Sequence, residues 1–387
     1  MKVQLLNKIA TVGTDELDKT LYEIGTDVAD PDAIMVRSAV MHDMTFGKNL
    51  KAIARAGAGV NNIPIDRCTS EGIVVFNTPG ANANGVKELA ICALLLASRD
   101  IVGGIEWVKT LEGTPDVAKQ VEAGKSKFAG HELKGKSLGV IGLGAIGGMV
   151  AGIATHLGMN VIGCDPFISV DGAWNLNNRV SHAATYDDIY KDADYITLHV
   201  PATAETKKMI NADSIAKMKD GVRIINLSRA DLIDPSAVKE ALASGKIAAY
   251  VTDFPTEDIL GVKGVIAIPH LGASTEESED NCAIMAAKEL DQYLRVGTIR
   301  NSVNFPNVEM PLSSDVRLCL LHANVPSILS QITAILSEEG INIENLTNKS
   351  KGNNAYTIVD ISGEPKAESI AKLEAIPEIV RVRVIKQ

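Results

Sequence analysis

The stretch Ser137-Leu138-Gly139-Val140-Ile141-Gly142-Leu143-Gly144-Ala145-Ile146-Gly147, carried on to Asn160-Val161-Ile162-Gly163-Cys164-Asp165, decides how this chain folds. An apolar run leads into three glycines spaced GxGxxG, a helix-length apolar segment reaches about Leu157, and a second β-branched run ends on an acid. That order predicts a strand, a tight turn, a helix and a parallel strand. The first glycine permits the turn and the second lets the backbone approach a pyrophosphate. The third lets helix pack on strand, and the helix N-terminus attracts phosphate charge. Gly142, Gly144, Ala145, Ile146 and Gly147 are therefore candidate dinucleotide contacts, with Asp165 placed to hold the ribose hydroxyls. Its charge repels a 2′-phosphate, which predicts NAD rather than NADP.

Working outward, short β-branched runs at residues 194–198, 222–226, 249–252 and 265–268 alternate with helix-length segments. With 136–141 and 160–164 they predict a six-stranded, Rossmann-type parallel sheet. Upstream, residues 33–37, 51–55 and 72–77 read as strands of another parallel lobe, and an apolar helix over about 85–97 bridges the two. Residues 302–311, with Pro306 and Pro311, read as a linker. Beyond it, strands at 317–322, 343–348, 355–362 and 380–385 and helices at 326–339 and 367–375 follow the βαββαβ order of a ferredoxin-like sandwich. The predicted class is α/β, with two Rossmann-like doubly wound domains and a ferredoxin-like tail. The expected boundaries are 1–84 with 277–310, then 85–276, then 313–387.

With 387 residues, the chain has room for two or three domains at roughly 100–200 residues each. Its 46% hydrophobic and 22% charged residues suit a soluble globular protein and exclude collagen-like, disordered and disulfide-scaffold classes. The 38 basic against 48 acidic residues give a net charge of −10, which argues against a surface built for nucleic acid. The N-terminus shows no signal-peptide run, and the most apolar stretch, 89–97, is about half of the roughly 20 residues needed to cross a bilayer, so no membrane role is expected. Five dispersed cysteines without a CxxC pair fit a reducing cytoplasm. Cys164 reads as core, and the scattered histidines show no metal-ligand spacing, so no metal is expected. Trp107 and Trp174 form no aromatic stripe for stacking bases.

Three polar residues fall where the later strands end: Arg229, Glu257 and His270. Ligands of doubly wound sheets bind at those carboxyl ends. A histidine beside a carboxylate exchanges a proton with a hydroxyl, and an arginine holds a carboxylate by two parallel hydrogen bonds. The trio suits oxidation of a 2-hydroxy acid. Taken alone, the same three residues read more readily as solvated strand-end side chains than as a catalytic set.

The blocks Asn226-Leu227-Ser228-Arg229, Phe254-Pro255-Thr256-Glu257 and Pro269-His270-Leu271-Gly272-Ala273-Ser274 resemble the signatures of the D-isomer-specific 2-hydroxyacid dehydrogenases. The resemblance extends through Ala54-Arg55-Ala56-Gly57-Ala58-Gly59-Val60-Asn61-Asn62 and Phe76-Asn77-Thr78-Pro79, and so covers essentially the whole chain. It implies that Arg229 binds the substrate carboxylate while Glu257, with Asp258 beside it, supports His270 as acid and base. It also implies NAD contacts at Ala58, Val200, Pro201, Leu227, Ser228, His270, Gly272 and Ala273. The stretch between Arg229 and Glu257 is one residue shorter than the family pattern, so Asp253, rather than Thr252, matches the cofactor-contacting acid. Members that take phosphoglycerate resemble this chain at Arg37 and Arg55, which implies D-3-phosphoglycerate as substrate, held by Arg37, Ser38, Arg55, Ala56 and Gly57 with Arg229 and His270. A dianionic phosphate needs such positive charge in an acidic protein, and lactate does not. The implied reaction yields 3-phosphooxypyruvate, the first step of L-serine synthesis.

His322-Ala323-Asn324-Val325-Pro326, followed by Gly340-Ile341-Asn342-Ile343, resembles an ACT domain, a module that binds amino acids between paired copies. The resemblance implies an L-serine effector held by His322, Asn324 and Asn342, and a homodimer or homotetramer. Ser327 stands where the family pattern has glycine. Without the resemblance, His322 and Asn324 read as caps of the following helix. Two rival functions remain in view: a D-2-hydroxyacid dehydrogenase of the hydroxypyruvate or glyoxylate reductase type, and a non-catalytic NAD-dependent interaction protein on the same scaffold.

Overall fold

The structure is a computed structural model that describes residues 1–386. Strands β1 (Lys2–Leu6), β2 (Glu23–Gly25), β3 (Ala33–Val36), β4 (Ala52–Arg55) and β5 (Val74–Asn77) form an all-parallel sheet in the order β2-β1-β3-β4-β5. Its central strands are buried on both faces, which is why Ala33-Ile34-Met35-Val36 reads as a continuous apolar run. Helix α1 (Ala83–Ser98) follows.

The second sheet comprises β6 (Ser137–Ile141), β7 (Asn160–Cys164), β8 (Ser181–His182), β9 (Tyr195–Leu198), β10 (Val222–Asn226), β11 (Ile247–Thr252) and β12 (Val265–Ala267), with helix α2 (Ala145–His156) between β6 and β7. The spatial order β12-β11-β10-β9-β6-β7-β8 reverses between β6 and β9. Such a reversal is the switch point where doubly wound sheets receive ligands. The sheet has one strand more than expected: β8 is two residues long and carries no apolar run to announce it. β1 and the three-residue β2 were likewise absent from the sequence reading.

Helix α3 (Glu276–Val296) returns to the first sheet, and residues 302–311 lead into the tail. There β13 (Val316–Ala323), α4 (Ile328–Glu338), β14 (Ile343–Lys351), β15 (Asn354–Ile361), α5 (Ala367–Glu374) and β16 (Ile379–Lys386) make an antiparallel sheet in the order β14-β15-β13-β16. Side chains alternate across a strand. Leu318, Leu320, Val359 and Ile361 therefore pack on Ile332, Leu336 and Leu373 of α4 and α5. Cys319, Leu321, Tyr356 and Ile358 face the other way, into a core with Met35, Phe76, Ala287, Leu290 and Tyr293.

The chain accordingly divides into two compact units, residues 1–82 with 276–387, and 83–275. The tail, expected as a body of its own over 313–387, shares the first unit. Each buried aliphatic or aromatic side chain there contributes about 1.5–3 kcal/mol. Gly297, at φ 75°, ends α3, and tail arginines donate to carbonyls of the helix's last turn. Arg383 donates to Tyr293 O (3.1 Å) and Leu294 O (2.8 Å), and Arg317 to Val296 O (2.9 Å). Arg317 is fully buried against Asp360, with bonds of 2.6 and 2.9 Å. Among the described residues no helix is long and apolar enough to cross a membrane.

Candidate active site

Gly142 turns the chain after β6 at φ 90°, and a Cβ there would lie 2.4 Å from the His199 carbonyl oxygen. A Cβ on Gly147 would lie 1.9 Å from Gly142 O, whereas one on Gly144 meets nothing within 4 Å. Packing therefore demands the outer two glycines, while the middle one leaves open space at the N-terminus of α2. Asp165 ends β7 and accepts from Leu143 N and Phe167 N, both at 2.9 Å, so the acid and the glycine turn are tied together. A cavity of about 770 Å³ opens here, bordered by Gly144, Ala145, Met149, Asp165, Phe167 and Leu176. An open glycine surface at a helix N-terminus, an acid at the end of the second strand and a roomy cavity together fit a dinucleotide. The segment from Phe167 to Asn177 went unnoticed in the sequence because no glycine or charge pattern marks it.

Val200 and Pro201 follow β9. Beside them, His199 bonds Thr197 Oγ1 at 3.0 Å, and burial pushes its imidazole down to about 4, so it is neutral near pH 7. Leu227 and Ser228 follow β10, where fully buried Asn226 orders the turn by donating to Arg229 O (2.8 Å) and accepting from Ser228 N (3.2 Å). Ser228 Oγ donates to Leu198 O at 2.7 Å.

Arg229 is thereby presented at the strand ends with an exposed guanidinium, 5.7 Å from the Phe254 ring centre. Phe254 in turn lies 4.5 Å from the His270 ring, centre to centre, and so neighbours both polar groups. Gly272 and Ala273 follow His270, and a Cβ on Gly272 would sit 3.1 Å from Val86 Cγ2.

The carboxylate next to His270 is that of Asp253. Its side chain is 1% exposed, with Oδ2 3.0 Å from His270 Nδ1, and the approach is not that of a formed hydrogen bond. Neither oxygen of Asp253 has a hydrogen-bond partner among the described residues. Glu257, expected in this place, lies with Asp258 in an exposed turn, and no ion pair joins either to His270 among the described residues. The cause is local: β11 runs to Thr252, which is fully buried and accepts from Phe254 N at 3.1 Å, so the first residue beyond the strand meets the ring.

In the other unit, Arg37 and Arg55 come together at the ends of β3 and β4, where Arg55 Nε donates to Arg37 O at 3.0 Å. Gly57 has φ 145°, and a Cβ there would fall 1.7 Å from an Arg55 guanidinium nitrogen, so the glycine lets the arginine pass over the loop. Ala56 N bonds Val36 O (2.8 Å), Ser38 N bonds Asn7 Oδ1 (3.1 Å), and Ala58 O accepts from Asn77 Nδ2 (2.6 Å). Arg37 pairs with Glu279 of α3 at 2.7 Å, a partner that no local pattern reveals.

The tail residues are not gathered within one chain. His322 is buried, with its ring nitrogens 2.8 Å from Ala323 O and Thr357 Oγ1. Asn324 bonds Gly352 O (3.1 Å) beside the Asn354 end of β15, whereas Asn342 lies beside Ser362 at the other end.

Residues 92–272 match the model of the D-isomer-specific 2-hydroxyacid dehydrogenase, NAD-binding domain. The chain is 37% identical over 300 residues to the D-3-phosphoglycerate dehydrogenase of Archaeoglobus fulgidus, covering 74% of this chain and 54% of that one. To the D-3-phosphoglycerate dehydrogenase of Escherichia coli K12 it is 32% identical over 356 residues, covering 87% and 82%. The NAD+-bound 3-phosphoglycerate dehydrogenase of Entamoeba histolytica superposes with a TM-score of 0.62 at 28% identity, covering 79% of this chain and 98% of that one. The chain spans only about half the length of several curated relatives, 54% to 58% of each.

Proposed function

The chain belongs to the D-isomer-specific 2-hydroxyacid dehydrogenases, and from that membership we propose that it oxidises D-3-phosphoglycerate to 3-phosphooxypyruvate with NAD, the opening step of L-serine synthesis. The observation that carries the choice of substrate is the pair Arg37 and Arg55, two arginines at adjacent strand ends, the second bonded through Nε to the backbone carbonyl of the first. Among 2-hydroxy acids they suit one that bears a phosphate dianion, since arginine matches phosphate with parallel hydrogen bonds.

NAD, when bound, accepts the hydride that leaves C2 of the substrate. Gly142, Gly144, Ala145, Ile146, Gly147 and Asp165 hold the dinucleotide, with Val200, Pro201, Leu227, Ser228, Gly272 and Ala273 along the neighbouring strand ends. Arg229 takes the substrate carboxylate. His270 has Nδ1 turned to Asp253, which leaves Nε2 to receive the hydroxyl proton as the C2–O bond becomes a carbonyl. Asp253 favours the charged ring that results. Phe254 packs near both the guanidinium and the imidazole.

The C-terminal βαββαβ sheet reads as an ACT-type module that takes L-serine. Because Asn324 and Asn342 lie at opposite ends of the sheet, a complete effector site calls for a second copy, which supports a homodimer or homotetramer.

The test is NADH formation from D-3-phosphoglycerate beside D-lactate and D-glycerate, in the unaltered chain and in Arg55→Ala. Turnover restricted to phosphoglycerate and lost in the variant is the expected result. Equal turnover of the unphosphorylated acids, or indifference to Arg55, would point to a general 2-hydroxyacid dehydrogenase.

A further inference from the structure

A second depression, of about 570 Å³, lies in the first unit where the tail meets residues 301–307. Its wall includes Asn77, Asn301, Asn307, Lys349, Ser350 and Lys351, and no carboxylate lines it. Lys349 and Lys351 are two apart on β14, so both side chains leave the same face of the strand, from Cα atoms about 7 Å apart. Among the described residues neither lysine has an ion-pair partner. Lys351 donates to Ser302 O at 2.8 Å, which fixes its ammonium at the rim, and burial lowers its pKa with no anion opposing the shift.

The nearby acids are spoken for. Glu309 is held by both Nε and a terminal nitrogen of Arg300. Glu289 is buried beneath Asn301, accepts from its Nδ2 at 2.7 Å, and is pushed up to about 8, so it is mostly uncharged at neutral pH. Lys349 also lies within the field of Glu309, but neither lysine is held in an ion pair among the described residues, and two such cations framed by amides in a protein of net charge −10 attract an anion. The floor is also held tightly. Asn301 sits at φ 54°, a strained backbone for a non-glycine residue, and its carbonyl accepts from Asn77 N at 3.3 Å.

We propose that this depression is an effector site for a small dicarboxylate, whose two carboxylates are met separately by Lys349 and Lys351. Spaced cations suit a molecule with two separated charges better than a compact dianion such as phosphate. The site also touches the substrate loop: Asn77, in its wall, donates to Ala58 O, one residue from the Gly57 over which Arg55 passes. Occupancy should therefore change the affinity for substrate. This coupling rests on the function proposed above, while binding at the depression does not.

The experiment is a thermal-shift titration of the full chain with succinate and, separately, inorganic phosphate. The variants are Lys349→Ala, Asn307→Asp and Arg55→Ala. Asn307→Asp brings a negative charge to the wall without removing a lysine, and so guards against loosened packing. Expected is saturable stabilisation by succinate that survives in Arg55→Ala and weakens about tenfold in Lys349→Ala and Asn307→Asp, with phosphate binding more weakly. No saturable effect of succinate, affinity in the two depression variants unchanged from that of the unaltered chain, loss in Arg55→Ala, or tighter binding of phosphate would each overturn the proposal. In the active enzyme, succinate should shift KM for phosphoglycerate in the unaltered chain and not in Lys349→Ala. An absence of activity with binding intact would instead refute the function proposed above and leave the site standing.

Discussion

Asp253 Oδ2 stands 3.0 Å from His270 Nδ1, on a side chain that is all but sealed from water, while the carboxylate of Glu257 is exposed in the turn that follows. An acid this deeply buried and without a hydrogen bond depends on the imidazole for its stabilisation. Asp253→Asn should lower kcat by roughly 10²–10⁴ through loss of the ring's orientation and of its charge partner. Glu257→Gln should cost less. Steady-state rates of the two variants, with circular dichroism to confirm folding, check this, and a larger loss at Glu257 would return the supporting role to that residue.

The Arg37–Glu279 pair must open before Arg37 can serve a phosphate. Half-exposed pairs of this kind contribute about 0.2–1 kcal/mol. Glu279→Gln is therefore expected to lower KM for D-3-phosphoglycerate by up to about fivefold, leaving kcat and any weak turnover of D-glycerate as they were. A rise in KM would mean that Glu279 orients the arginine instead of competing for it.

Glu289 governs how the first unit responds to pH. Its carboxyl is pushed up to about 8 by burial, well above the ordinary value near 4.3 that it regains on unfolding. The folded chain therefore binds the extra proton between those values. The stabilisation is complete below about pH 4 and is lost as pH rises towards 8. Glu289→Gln keeps an acceptor for Asn301 and removes the titration. It should flatten the fall in stability between about pH 5 and 8 by an amount on the order of 3 kcal/mol, read from denaturant midpoints across that range. An unchanged slope would show that Glu289 is charged in the folded state.

Ser327 opens α4 with φ 67° and ψ 1°, the left-handed conformation, and its side chain makes no capping bond. Glycine adopts that backbone without strain. Ser327→Gly should stabilise the fold by about 1 kcal/mol, seen as a higher thermal midpoint, and a fall would show that the hydroxyl has a contact of its own.

Where the signal is local, the sequence is legible. The glycine turn, its flanking strands and Asp165 are all set by spacing within some thirty residues, and the βαββαβ tail follows from apolar periodicity. Arg229 and His270 could be placed because strand ends are recognisable. Asp253 could not be paired with His270 in advance, because that depends on β11 holding its register up to Thr252. Glu279 meets Arg37 across most of the chain's length, and the docking of the tail uses backbone carbonyls of α3 that leave no trace in residue types. β8, at two residues, is too short to show a period.

The core shared by Cys319, Leu321, Tyr356 and Ile358 with Phe76, Leu290 and Tyr293 limits how such a chain can be recombined. A crossover in the proline-bearing stretch near 302–311 looks convenient on paper, yet it would hand the recipient half of a hydrophobic interior and leave the donor with the other half bare. Viable chimeras should instead join at 82/83 and 275/276, exchanging the nucleotide-binding part while the two ends of the gene are inherited together. The tail of this chain is thus a part that can be exchanged only together with the lobe it lies against.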